Sequence, residues 1–114
     1  GISNGDIAYD IRCFCMSGHI LTEPDLPEFY GYYADYDWVV FCWLFGKMID
    51  LPYGFPMYCR DLKQMFDERN LSKLWKQHAC PEPAETHNAL VDAIWNRKLY
   101  HKMMEYDAHI KAIS

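Results

Sequence analysis

The chain has 114 residues, and none of its apolar runs reaches the ~18 residues that a membrane-spanning helix needs. The longest candidate, Trp38 to Phe45, falls far short. No basic stretch leads into an apolar one, so no signal peptide is visible. Internal repeats and low-complexity tracts are lacking as well. The cysteines (Cys13, Cys15, Cys42, Cys59 and Cys80) are odd in number and form no Cys-x-x-Cys pair. Without a secretory signal, free thiols in a reducing cytoplasm are their expected state. The sequence opens on Gly1 rather than Met, so the expectation is that Gly1 is a tag remnant or an internal start and that the native N-terminus is not included. Basic residues are in the minority, with a net charge of −5. That argues against a protein that holds nucleic acid by a broadly basic surface. It remains compatible with clustered carboxylates, which keep a site negative until a cation arrives.

Apolar material is abundant. Hydrophobic residues make up 51% of the chain and aromatics 17%, which argues against a disordered chain. The length suits one domain, residues 1–114, with one core. Gly5 to Cys15 carries Ile7, Ile11, Phe14 and Cys15 at helical spacing, with Gly18 as a stop. Pro24 and Pro27 among acids make Leu21 to Glu28 a loop. Phe29 to Ala34 is dense in tyrosine and fits a strand. Asp35 then serves as an N-cap for a mostly apolar, buried helix over Tyr36 to Phe45, closed by Gly46. A turn-rich loop around Pro52, Gly54 and Pro56 precedes a short strand at Met57 to Cys59. Helices follow over Asp61 to Arg69 and Leu71 to Gln77. After Pro81 and Pro83, a long helix runs from Thr86 or His87 to about Tyr106, with Val91, Trp95, Leu99 and Met103 as its apolar stripe. The alternation of helix and strand implies α/β architecture. Two strands are few beside the typical sheet of about five, so part of the sheet is expected to lie outside these residues.

Three polar residues stand out. His87 and Asp92 are five residues apart, and at ~100° per residue they would diverge by about 140° if both were helical. They converge only if His87 sits at the helix start, with Asp92 ~7.5 Å further along the axis. That layout suits a general base beside a metal ligand. A first-turn histidine bonded to backbone and a solvated aspartate fit the same spacing. Asp37 lies in a first helical turn, where a negative charge is favourable in any case. It also follows a strand end, where sites in open α/β sheets collect.

Taken together, these residues resemble a known family. His87-x-Ala-Leu-x-Asp92-Ala is similar to the third motif of the His-containing DEDD superfamily of 3′-5′ exonucleases. Tyr36-Asp37 looks like the second, an aromatic followed by Asp at a helix start. Tyr58-Cys59-Arg60-Asp61-Leu62 between them also fits. The run Gly31-Tyr32-Tyr33-Ala34-Asp35-Tyr36-Asp37, with Phe-Cys-Trp-Leu-Phe-Gly after it, resembles polyadenylate-specific exoribonucleases of the RNase AS type and their phage-borne relatives. The likeness spans roughly Ile7 to Met104.

The resemblance implies a ribonuclease H-like fold that acts on the 3′ end of RNA by two-metal phosphodiester hydrolysis. Asp92 would ligate Mg²⁺ or Mn²⁺, Asp37 would hold the second ion, and His87 would accept a proton from the attacking water. It also implies a homodimer. Tyr36 and Trp38, ahead of Trp43, are candidates to stack bases, although aromatics of an apolar helix are commonly core. Arg60, Lys63 and Arg69 are candidates for phosphate contact or plain surface charge. The family's first motif, Asp-x-Glu on the first strand, has no match in this sequence. The chain therefore reads as a partial fold that lacks the first strands and carries the second half of the site, with an N-terminal half missing. The alternative is a truncated, non-catalytic interaction module. A zinc site from Cys13, Cys15, His19, His78 and Cys80 has enough ligands but non-standard spacing.

Overall fold

The computed structural model describes residues 3–16, 26–84 and 88–114. Its elements, in order, are α1 (Asn4–Met16), β1 (Tyr30–Gly31), α2 (Asp35–Trp43), a 3₁₀ turn (Met48–Asp50), β2 (Arg60–Asp61), α3 (Leu62–Glu68), α4 (Lys73–Ala79) and α5 (Ala89–Ile113). The architecture is mixed α/β and mostly helical. β1 and β2 form a two-stranded parallel sheet. The chain divides into two compact units, Gly1–Arg60 and Asp61–Ser114.

The first unit is built around aromatics. Trp38, Cys42, Leu51 and Phe55 form its buried cluster, with Ile11, Cys15, Phe29, Phe41, Phe45 and Cys59 packed against it. Phe29 is the hub: its ring lies 5.5 Å from Trp38, 4.9 Å from Phe41 and 5.2 Å from Phe55. The expected α1 is present, and Ile11 and Cys15, four residues apart, face the cluster. Phe14 is not part of that face. It turns outward and is 84% exposed, because a one-residue step on a helix rotates by ~100°.

Four local expectations need correction. The strand is Tyr30–Gly31, shorter than Phe29–Ala34. It stops because Tyr33 has φ +54° and Ala34 has φ −87°, ψ 0°, neither of which is extended. Ala34, not Asp35, precedes the first helical residue of α2, and its side chain makes no capping bond. Asp35 and Asp37 instead place two carboxylates in the first turn, where the helix dipole favours them. The second strand is Arg60–Asp61 rather than Met57–Cys59, with the Arg60 amide donating to the Phe29 carbonyl at 2.8 Å. Finally, α2 is only half buried: Trp38 and Cys42 face the core, while Tyr36, Val39, Val40 and Trp43 are exposed. Gly46, expected as the stop, adopts φ +113° just past the helix.

The second unit is helical. Asp61 caps α3 by accepting from the Lys63 amide at 2.8 Å. Ser72 caps α4 by accepting from the Trp75 amide at 3.1 Å. The expected α5 stripe is real: Trp95, Leu99 and Met103 are buried and Val91 is half-buried. α3 packs on α5, with Leu62, Leu99 and Met103 fully buried. Trp95 donates its indole N–H to the Cys80 and Pro81 carbonyls, at 3.3 and 3.1 Å, which ties the Pro-rich loop to α5. Arg69 forks onto Asp107, with Nε to Oδ1 at 2.8 Å and Nη2 to Oδ2 at 2.7 Å. Among the described residues, no helix is long and apolar enough to cross a membrane.

Candidate active site

Asp92 owes its position to a cap. Asn88 Oδ1 accepts from the backbone N–H of Leu90 and of Val91, at 3.0 and 3.1 Å. These bonds satisfy two of the amides that a helix start leaves without partners. α5 therefore begins at Ala89 rather than at Thr86 or His87, and the Asp92 amide donates to the Asn88 carbonyl at 2.9 Å. The Asp92 carboxylate is in the first turn of α5 and exposed. His87 precedes the cap in sequence and lies outside the described residues.

Asp37 has the equivalent place on α2. It is in the first turn and exposed, one residue before the buried Trp38. Among the described residues, neither Asp37 nor Asp92 is held by a side-chain hydrogen bond or an ion pair. Asp37 belongs to the first unit and Asp92 to the second, so each carboxylate is described in its own surroundings. Carboxylate oxygens are the right donors for Mg²⁺ or Mn²⁺. Among the described residues, however, no three His, Cys, Asp or Glu side chains are grouped so as to hold a metal ion. Among the described residues, the donor chemistry fits and the number gathered does not.

The aromatic candidates separate clearly. Tyr36 is 72% exposed, whereas Trp38 is 9% exposed. The Trp38 ring stacks on Phe41 at 5.2 Å and 17°, and its indole N–H donates to the Met57 carbonyl at 3.3 Å. Its faces are used inside the first unit. Trp43 is exposed. The cationic candidates are engaged by acids: Arg60 with Glu28 at 3.7 Å, Lys63 with Asp67 at 2.7 Å, and Arg69 with Asp107. Arg69 is a structural residue of the second unit, a role that no local signal in the sequence marks. Of the zinc candidates, Cys13 is exposed, Cys15 half-buried and Cys80 buried, while His19 lies outside the described residues. Burial pushes the thiols of Cys15, Cys42 and Cys80 up, opposite to what a thiolate metal ligand needs.

A family model, the 3′-5′ exoribonuclease Rv2179c-like domain, matches residues 2–104, nearly the whole chain. The chain belongs to that family. It is also similar to two proteins of Mycobacterium tuberculosis, 3′-5′ exoribonuclease Rv2179c of strain ATCC 25618 / H37Rv and 3′-5′ exoribonuclease MT2234.1 of strain CDC 1551 / Oshkosh. Each is 35% identical to it over 69 residues, which is 60% of this chain and 38% of the relative. The match thus spans well under half the length of those relatives.

Proposed function

We propose that this chain is part of a metal-dependent 3′-5′ exoribonuclease of the DEDD class, built on a portion of a ribonuclease H-like fold. The observation that carries this reading is the pair Asp37 and Asp92. Both are exposed, both stand in the first turn of a helix, and neither is neutralised by a described partner, within a stretch that matches an exoribonuclease family almost throughout. Uncompensated carboxylates suit residues that wait for a cation. Asp37 and Asp92 would hold Mg²⁺ or Mn²⁺. When bound, such ions polarise the phosphodiester and acidify water. His87 would accept the proton of the attacking water, which an imidazole does well near neutral pH. Of Tyr36 and Trp38, Tyr36 is the exposed ring that could stack a base at the RNA 3′ end.

The Asp-x-Glu carboxylates of the class do not occur among these residues, so turnover requires carboxylates supplied from outside them. A homodimer and a cytoplasmic setting are further parts of this reading. They are supported by the exposed apolar side of α2 and by the free thiols. The test uses the full-length gene product and 5′-labelled single-stranded RNA. With Mg²⁺ the label should run as a ladder shortening from the 3′ end, EDTA should stop it, and His87→Ala or Asp92→Asn should abolish it. Degradation that survives EDTA, or an active Asp92→Asn protein, would refute the reading.

A second reading, a non-catalytic interaction module, is favoured by the absence of a gathered metal cluster among the described residues. Calorimetric titration of the 114-residue chain with Mg²⁺ separates the two. Tight binding by the chain alone counts against the module.

A further inference from the structure

Positive charge is unevenly placed in this acidic chain. Of its eleven Lys and Arg residues, three lie in Gly1–Arg60 and eight in Asp61–Ser114. Within the second unit several of them gather around one loop. Lys73, Lys76 and Gln77 come from one face of α4, at positions i, i+3 and i+4. With Pro81 and Glu82 they line a cleft of about 320 Å³. Lys98 and Lys102 come from α5, three and seven residues after Trp95, and so share its flank of the helix. The Trp95 indole reaches the Cys80 and Pro81 carbonyls, which brings that flank against the same loop. The Cys80 thiol registers the gathering: burial pushes it up, and the charges of Lys98, Lys102 and Lys76 pull it back.

Such a grouping works against the fold. Like charges three or four apart on a helix repel, and both helices carry such a pair, Lys73 with Lys76 and Lys98 with Lys102. Acids offset only part of it. Lys76 Nζ pairs with Glu82 at 3.1 Å and lies 5.6 Å from the Trp95 ring centre. Lys102 pairs with Glu105 at 3.3 Å. Lys73 and Lys98 are exposed, and among the described residues neither has an ion pair. A cleft with surplus positive charge concentrates anions. The layout says which anion. Along α5, Lys98 lies about 9 Å and Lys102 about 15 Å beyond Asp92, so the charges lead away from the candidate metal ligand. A small anion needs one such charge, whereas a polyanion uses the series.

We propose that the lysines of α4 and α5, Lys73 and Lys98 foremost, bind backbone phosphates of single-stranded RNA on the 5′ side of the nucleotide being removed. This deepens the exoribonuclease reading and rests on it: with the 3′ end at Asp92, the rest of the strand leaves across the protein surface. Lysine suits the task, because a flexible point charge holds a phosphate whatever base it carries. Lys76, fixed by Glu82 and Trp95, forms the wall of the cleft, and the exposed lysines make the contact.

The test uses the full-length gene product and a fluorescein-labelled single-stranded RNA whose 3′-terminal linkages are hydrolysis-resistant phosphorothioates. Fluorescence anisotropy in Mg²⁺ follows binding over a range of KCl. Each phosphate contact on a single strand adds about 0.7 to the slope of log affinity against log salt. The double variant Lys73→Gln, Lys98→Gln should therefore lose about 1.4 of that slope and bind roughly tenfold more weakly at about 0.1 M salt. Lys73→Arg with Lys98→Arg keeps both charges and should bind like the unaltered protein. Arg97→Gln with Lys111→Gln removes the same charge from other flanks of α5 and should also bind like it. An unchanged slope in the Lys73, Lys98 glutamine variant overturns the proposal. So does a loss of binding in the arginine variant, or an equal loss in the Arg97, Lys111 variant. In each case a 3′-shortening ladder on ordinary RNA leaves the exoribonuclease reading standing. If the unaltered protein neither binds nor shortens RNA, both fall together.

Discussion

Replacing Asp107 by Asn should loosen the far half of α5 by an amount that the geometry lets us work out. Arg69 meets Asp107 through two parallel bonds of 2.8 and 2.7 Å, and its remaining Nη1 donates to the Met65 carbonyl at 2.8 Å. The fork is thus fixed from behind, and little side-chain entropy is left to lose. Against this, the Asp107 side chain is 40% exposed and that of Arg69 21%, so solvent screens the pair. Exposed pairs contribute ~0.2–1 kcal/mol, and a well-oriented bidentate one sits near the top of that range, about 1 kcal/mol. For a chain of 114 residues, an unfolding entropy of ~2.1 cal/mol/K per residue turns this into about 4 °C of Tm. Bonding to Arg69 holds the Asp107 carboxyl below the usual carboxylate range. Its contribution should therefore be complete above the unfolded value, near 4, and be lost as pH falls through the lower folded value. Thermal melts of Arg69→Gln, Asp107→Asn and the double variant, at pH 7 and about pH 2, measure the coupling by a double-mutant cycle. A coupling of zero at neutral pH, or one that survives unchanged in acid, would refute the reasoning.

Leu99→Ala removes a fully buried side chain where α3 meets α5 and should cost ~2–5 kcal/mol in urea unfolding at neutral pH. Asn88→Ala deletes both cap bonds at the start of α5. It should cost about 1 kcal/mol and speed hydrogen exchange at the Leu90 and Val91 amides. In native protein, an aromatic disulfide reagent should label exposed Cys13 quickly and buried Cys42 and Cys80 slowly, with all sites equal once the chain is denatured.

The parts of this protein that were legible in the sequence are those that depend on near neighbours. The α5 stripe follows from a spacing of four, and Trp95, Leu99 and Met103 are buried as that spacing requires. The exoribonuclease class rested on His87, Asp92 and Tyr36-Asp37, and the family match over residues 2–104 agrees with it. The strands were less legible. Six residues rich in tyrosine suggested extended chain, yet pairing is confined to Tyr30–Gly31, because Tyr33 turns against its own propensity. The start of α5 slipped from Thr86 or His87 to Ala89 because Asn88 is the cap, its short side-chain carbonyl accepting from two backbone amides at once.

What the sequence alone determined about this protein is local. Caps, turns and helical periodicity arise from bonds spanning two to four residues, and composition was enough to require an apolar core. Only the tertiary structure decided which side chains that core takes. Tyr36 and Trp38 stand two apart in one apolar stretch, but Trp38 is enclosed by Phe29 and Phe41 while Tyr36 faces water. Arg69, a candidate for phosphate contact or plain surface charge, is held by an aspartate 38 residues away. Burial and distant ion pairs depend on where the chain returns in space, and that return is set by the packing of all the elements in a unit together.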